Sequence, residues 1–202
     1  MGDAVEGRMA RTRSNYLGML RLIDDQMKRL MSYLDTSGIA DNTVILYISD
    51  HGDYAGEYGL IRKGVDLPEA LTRIPMIWRG PGIKAQGKIK GVCSNIVDVM
   101  PTILDIAGVR MPVGVQGKSL LPILREESYD KREFEVGYSE SGYGGLYWNE
   151  EDHLDYVDEE ALGCVCTFNE LNSWTQSGQV RMVRKGEFKL QLDMLGNGYL
   201  YN

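Results

Sequence analysis

The chain has 202 residues, a formal net charge of -7, and hydrophobic and charged fractions of 43% and 25%. Those proportions are ordinary for a globular protein, and the length suffices for one good core with or without a small satellite domain. The acid excess without a basic stripe argues against a nucleic-acid binder, and no apolar run nears the roughly 20 residues of a membrane helix.

The three cysteines, Cys93, Cys164 and Cys166, are odd in number and two are separated by a single residue. They describe no disulfide framework, and with His51 and His153 they make no zinc spacing. The N-terminus has no apolar stretch of the signal-peptide kind, and Glu6 stands where a myristoylation motif needs Ser or Thr. Compartment stays open.

From Met9 to about Asp35 the pattern is helical. Tyr16, Met19, Leu20, Ile23, Met27, Leu30 and Leu34 recur at three- and four-residue steps, with Gly38 as a stop signal. This stripe is expected to pack on a sheet, and Arg8, Arg11 and Arg13 are read as a solvated helix start. Val44 to Ile48 is then a nearly unbroken aliphatic run, suited to an interior strand covered on both faces.

The run stops at Ser49-Asp50-His51-Gly52. In open α/β sheets ligands bind beyond the carboxyl ends of strands, where these polar residues fall. Side chains alternate along a strand, so Asp50 and His51 need the backbone to turn before they can meet one object. Gly52 is expected to allow that turn. Carboxylate oxygen and imidazole nitrogen together suit several divalent cations. Two ligands do not close a site.

Residues from Gly52 to Leu67 read as a long loop without period, and loops of that length are usually functional. Ile74–Trp78 is a second apolar run ending at Arg79-Gly80-Pro81-Gly82, where Arg73 and Arg79 are expected to support loop geometry. A helix begins near Asp98, with Pro101 in its first turn and Gly108 past its end. Ile103, Leu104 and Ala107 are expected to face the core, and Ser119–Pro122 to pack on the main domain.

Between Glu126 and Glu160 thirteen acidic residues face only Lys131 and Arg132. This block reads as a solvated insertion or a subunit contact. Tyr143 and Trp148 are candidates to stack on a sugar ring, and His153 reads as a surface residue. At the end, Val180–Leu192 is a hairpin turning at Lys185-Gly186-Glu187, with Phe188, Leu190 and Leu192 alternating against Lys189, Gln191 and Asp193. Tyr199–Tyr201 adds a third strand.

Several of these stretches, in this order, resemble the sulfatase family of the alkaline-phosphatase-like superfamily. They are Ser49-Asp50-His51-Gly52, Gly56-Glu57-Tyr58-Gly59-Leu60, Lys63-Gly64, Arg73-Ile74-Pro75 and Arg79-Gly80-Pro81-Gly82, then Asp98–Gly108, Gly117–Leu124 and Lys185–Leu190. The resemblance runs from about Asn15 to Arg125 and returns at the C-terminus. It implies part of an α/β/α sandwich with a mainly parallel sheet, followed by a small C-terminal antiparallel β subdomain. The expected division is 1–125 for the α/β part and 126–202 for the acidic insertion and small sheet.

The resemblance also implies roles. Asp50 and His51 match metal ligands, the metal being most often calcium, with manganese or magnesium as alternatives. Lys63 matches the lysine that reaches the sulfate oxygens, where a compact ammonium suits a tetrahedral oxyanion. The implied substrate is a sulfated small molecule or glycan, and an oligomer is compatible. Tyr58 departs from the pattern, since many relatives carry His there.

The family's nucleophile is a formylglycine made within a Cys/Ser-x-Pro/Ala-x-Arg motif. None of the three cysteines lies in one, nor does Ser119, and the family's pair of N-terminal metal-binding aspartates is not matched by Asp24-Asp25, which lie on the predicted helix. The chain is therefore expected to be a C-terminal sulfatase portion, inactive alone. A phosphonate monoester or phosphodiester hydrolase of the same superfamily shares Asp50, His51 and Lys63. A non-catalytic binding module of this fold is the third reading.

Overall fold

The computed structural model describes residues 2–64, 66–84, 87–142 and 179–202. They fall into two compact units. One gathers residues through Lys63 together with Glu69–Lys131, and the other joins Gly64–Pro68 to residues from Arg132 onward.

The first unit opens with helix α1, Gly2–Thr36, which starts seven residues before the expected Met9. It ends where Gly38 turns to φ 66° and the Ile39 N–H reaches back to the Leu34 carbonyl. This is a glycine-dependent helix stop. The apolar stripe does not form a core along its length. Among its members only Leu34 is buried, at 7% exposure, while Met19, Leu20, Ile23 and Leu30 are exposed. A helix of 35 residues spans roughly 50 Å. The short strands that follow meet it only locally.

Strand β1, Ile45–Ile48, leads to the expected site, and every residue in it is half-buried rather than fully enclosed. A small hairpin follows, β2 at Tyr54–Ala55 and β3 at Ile61–Arg62, where an unstructured loop is expected from the sequence. It closes through Gly56 at φ 112° and Gly59 at φ 74°. Helix α2 is a single turn, Glu69–Thr72.

Strand β4, Met76–Arg79, pairs antiparallel with β1, Ile48 opposite Met76 and Ile45 opposite Arg79. Its residues alternate half-buried and exposed, so it is less enclosed than the apolar run suggests. All pairings among the described residues are antiparallel. The mainly parallel sheet of the expected sandwich is thus represented here by β1 with an antiparallel neighbour, an arrangement common in large α/β sheets.

Helix α3, Val99–Ile106, is entered through a capping box in which the Asn95 N–H donates to Asp98 Oδ2 at 2.8 Å. Asp98 stands at the N-cap position of α3 as expected, but its side chain turns back to close the box with Asn95. Ile103 and Ala107 are exposed, and the buried side is Asp98, Pro101 and Thr102. Thr102 Oγ1 donates to the Asp98 carbonyl at 2.6 Å and accepts the Leu120 N–H at 2.9 Å. These bonds fasten Lys118–Leu120 onto α3 and deliver helix α4, Leu121–Leu124, into the core. Leu120, Leu121, Ile123 and Leu124 are all buried there, as expected for the Ser119–Pro122 segment.

The second unit is a four-stranded antiparallel sheet in the order β5 (Val136–Ser141), β6 (Val180–Lys185), β7 (Phe188–Asp193), β8 (Gly198–Tyr201). The C-terminal hairpin forms and turns where expected, with Lys185 opposite Phe188. Its faces are not those that hydrophobicity suggests. Lys189 and Gln191 are buried at 6% and 7% exposure, whereas Phe188, Leu190 and Leu192 are exposed. Val180, Met182 and Leu67 pack together on the buried side. There the Gln191 amide accepts the Leu67 N–H and donates to Asp66. The polar phase is buried because its amide satisfies the backbone of the segment lying on it.

Tyr143, Tyr147, Trp148, His153, Cys164 and Cys166 lie outside the described residues. No helix among the described residues is long and apolar enough to cross a membrane.

Candidate active site

The polar cluster forms where β1 ends. Ser49 Oγ donates to the His51 carbonyl at 2.7 Å, and Asp50 Oδ1 accepts the His51 N–H at 2.9 Å. These two local bonds bend the backbone so that adjacent side chains meet on one side. His51 Nε2 lies 3.6 Å from Asp50 Oδ2 and 3.0 Å from Lys63 Nζ. A carboxylate, an imidazole and an ammonium therefore converge within one small volume.

The imidazole is held at both nitrogens. Nδ1 lies 2.8 Å from the Gly52 carbonyl, an acceptor only, so Nδ1–H is the donor of that pair. Nε2 is then an acceptor facing Lys63, whose protonated amine has donors to give. The Asp50 carboxyl is held below the ordinary aspartate range, first by the His51 N–H it accepts. Asp50 thus stays anionic at neutral pH, with its side chain 85% exposed.

Gly52 is required for a different reason from the one its sequence context suggests. Its φ is not positive. Its N–H donates to the Leu71 carbonyl at 2.9 Å, and a Cβ there would stand 1.9 Å from the Ala70 carbonyl oxygen. The turn is made by Ser49 and Asp50, and Gly52 admits the close approach of α2.

Lys63 is brought in by the β2–β3 hairpin, whose Tyr54–Arg62 pair immediately precedes it in the chain. Tyr54 is buried, and Tyr58 sets its ring edge-on to Tyr54, centroids 6.2 Å apart, while remaining 80% exposed at φ 56°. The hairpin is gripped by Glu57 from its own loop and by Arg13, for which the sequence offers no signal. Arg13 Nε donates to the Ala55 carbonyl at 2.9 Å, and Glu57 Oε2 accepts the Ala55 N–H at 2.6 Å. Arg13 is therefore more than a solvated helix residue. Arg79 Nη1 donates to Met31 Sδ at 4.0 Å.

Asp50 Oδ2 and His51 Nε2, 3.6 Å apart, are close enough to share one cation, which would have to displace Lys63 Nζ from the Nε2 lone pair. Among the described residues no group of three or more His, Cys, Asp or Glu gathers to complete a shell. The donor pair fits part of a divalent-cation site. A cavity of about 570 Å³, lined by Leu34, Asp41, Trp78 and Arg79 among others, opens at the Ile45–Arg79 end of the strand pair, opposite these side chains.

The strand–site arrangement is that of the alkaline-phosphatase-like α/β fold. A 2-O GAG sulfatase of known structure aligns with 89% of this chain and 33% of its own, at 26% identity and a TM-score of 0.66. The sequence-family model described as Sulfatase matches residues 2–109, more than half of the chain, which belongs to the sulfatase family. The N-acetylglucosamine-6-O-sulfatase of Bacteroides thetaiotaomicron is 40% identical over 113 residues, 56% of this chain and 20% of that protein. The multifunctional alkaline phosphatase superfamily protein PehA of Trinickia caryophylli is 32% identical over 161 residues, 79% of this chain and 31% of that protein. The chain thus spans about a fifth to a third of the length of these three proteins.

Proposed function

We propose that this chain supplies part of the active site of a sulfuric ester hydrolase. Asp50 and His51 act as ligands to a divalent cation, calcium in the first instance, and Lys63 grips the sulfate. The observation that carries this reading is the meeting of Asp50, His51 and Lys63 around His51 Nε2. Without a cation the ammonium gives one of its three donors to the single lone pair of Nε2; a cation taking that lone pair would release the ammonium, with all three donors then open to sulfate oxygens. Asp50 brings a lasting negative charge, and the bond from Nδ1 to the Gly52 carbonyl aims Nε2 toward the shared volume. A bound cation would polarise the sulfate and the nucleophile.

The substrate class is a sulfate monoester on a sugar. The support is the amino-sugar and GAG sulfates named for two of the similar proteins. A phosphonate or phosphodiester hydrolase is the second reading, favoured by the likeness to a multifunctional superfamily member.

Calcium and sulfate titrations of the 202-residue chain, followed by NMR at Asp50, His51 and Lys63, test the assignment. Calcium is expected to move the Asp50 and His51 signals with weak affinity, and Asp50→Asn to abolish the response. Sulfate is expected to move Lys63, and Lys63→Met to abolish it. Unmoved signals in the wild type reject these roles, and a clear preference for phosphate over sulfate favours the second reading.

A further inference from the structure

Lys63 sits at the foot of a hairpin that is too small to hold itself. Strands of two residues give almost no ladder, and isolated hairpins even of ordinary length are marginal in water. The hairpin also carries Tyr58 at φ 56° and Arg62 at φ 67°, a region that side chains with a Cβ disfavour. Something outside the hairpin must keep it in register.

Arg13 does so from 42 residues upstream. Its guanidinium donates to the Ala55 carbonyl and lies over Gly56 so closely that a Cβ there would come within 2.8 Å of Nη2. Ala55 is held on its other side by Glu57, and Arg13 adds its charge to that carboxylate. Ala55 pairs with Ile61, two residues before Lys63. The grip therefore acts on the strand facing the one that delivers the ammonium.

We propose that Arg13 is a positioning residue, tethering the β2–β3 hairpin to α1 so that Lys63 Nζ is kept beside His51 Nε2. The importance of that placement rests on the role proposed for Lys63. Arginine suits the task because a rigid fork can bond a carbonyl while its charge faces a carboxylate.

The test is a NOESY experiment on the full 202-residue chain, reading the cross-peak between the His51 ring and the Lys63 ε-methylene. There are two histidines, so His153→Gln assigns the ring signals. The cross-peak is expected in the wild type, in Arg13→Lys, and in Arg21→Gln, which alters the same helix where it pairs with Asp25. In Arg13→Gln it should be lost or strongly weakened, with tryptic cleavage after Arg62 and Lys63 about tenfold faster. Unchanged helical circular dichroism in Arg13→Gln excludes unfolding of α1 as the cause.

Wild-type cross-peak intensity and cleavage rate in Arg13→Gln would overturn the tether and leave the His51–Lys63 pairing intact. Absence of the cross-peak from the wild type would overturn the pairing itself, and with it both proposals.

Discussion

Gly52 and Ala70 are in such close contact that any β-carbon at position 52 would stand 1.9 Å from the Ala70 carbonyl oxygen. The obstacle is backbone, so no side-chain rotation relieves it. Gly52→Ala should therefore destabilise the first unit by about 3 kcal/mol, at the upper end for overpacking. Urea denaturation gives the number. Because Gly52 follows His51, the substitution should also displace the imidazole signals, whereas a Gly38→Ala control should leave them in place, since nothing lies within 4 Å of a Cβ at Gly38. A wild-type midpoint for Gly52→Ala would mean that α2 does not pack here.

In the C-terminal sheet the burial of Gln191 and the exposure of Leu190 make opposite demands on two neighbouring positions. Gln191→Leu is the more hydrophobic residue, yet it leaves the Leu67 N–H without its acceptor and should cost about 1–3 kcal/mol. Leu190→Thr removes apolar surface from an exposed position and should stay within about 0.5 kcal/mol of the parent. Paired denaturation curves decide. The reverse order would restore the faces that hydrophobicity alone predicts.

These two cases mark where sequence reading succeeds and where it stops. The strand ending at Asp50-His51 and the lysine after it were legible because an aliphatic run stops sharply and the motifs follow in a family order. The C-terminal hairpin was legible from its period of two and its Lys185-Gly186-Glu187 turn. Alternation says that two faces differ, but which face is covered depends on what lies against it. Here the covering segment is Gly64–Pro68, more than a hundred residues away in the chain, and its backbone wants an amide. Arg13 was illegible for the same reason. Nothing local to an exposed arginine on a helix announces a carbonyl 42 residues ahead. Gly52 was singled out, but for its flexibility, when its use is a close approach that only the placement of α2 reveals.

Helix α1 offers a test of how far its periodic stripe contributes to stability. Leu34 is buried at its C-terminal end, while Leu22 and Leu30 are exposed. Leu34→Ala should cost about 2–4 kcal/mol, as other buried leucines do. Leu22→Ala and Leu30→Ala should change stability by no more than about 0.5 kcal/mol, since alanine keeps the helix and little burial is lost. Thermal unfolding followed by circular dichroism measures all three. With Leu22 off the stripe as the reference, a loss at Leu30 equal to that at Leu34 would show that the stripe is covered in solution.

The hairpin that delivers Lys63 should loosen in acid. The Glu57 carboxyl is held below its ordinary range, first by the Ala55 N–H it accepts, and also by the nearby charge of Arg13. A carboxyl depressed in the folded state contributes order that is complete above its unfolded pKa, about 4.3 for an unperturbed glutamate. That contribution is lost as pH falls through the lower folded value. The Ala55 amide proton, which bonds Glu57, should therefore hold its chemical shift down through pH 5 and move upfield only below the ordinary glutamate range. Glu57→Gln should remove this acid step and leave the Arg13 grip on the carbonyl in place. Arg13→Gln should raise the midpoint toward the ordinary value by deleting the nearby charge. A midpoint at or above the ordinary range in the wild type would mean that Glu57 does not bond the Ala55 amide, and the hairpin would then lack one of its two anchors.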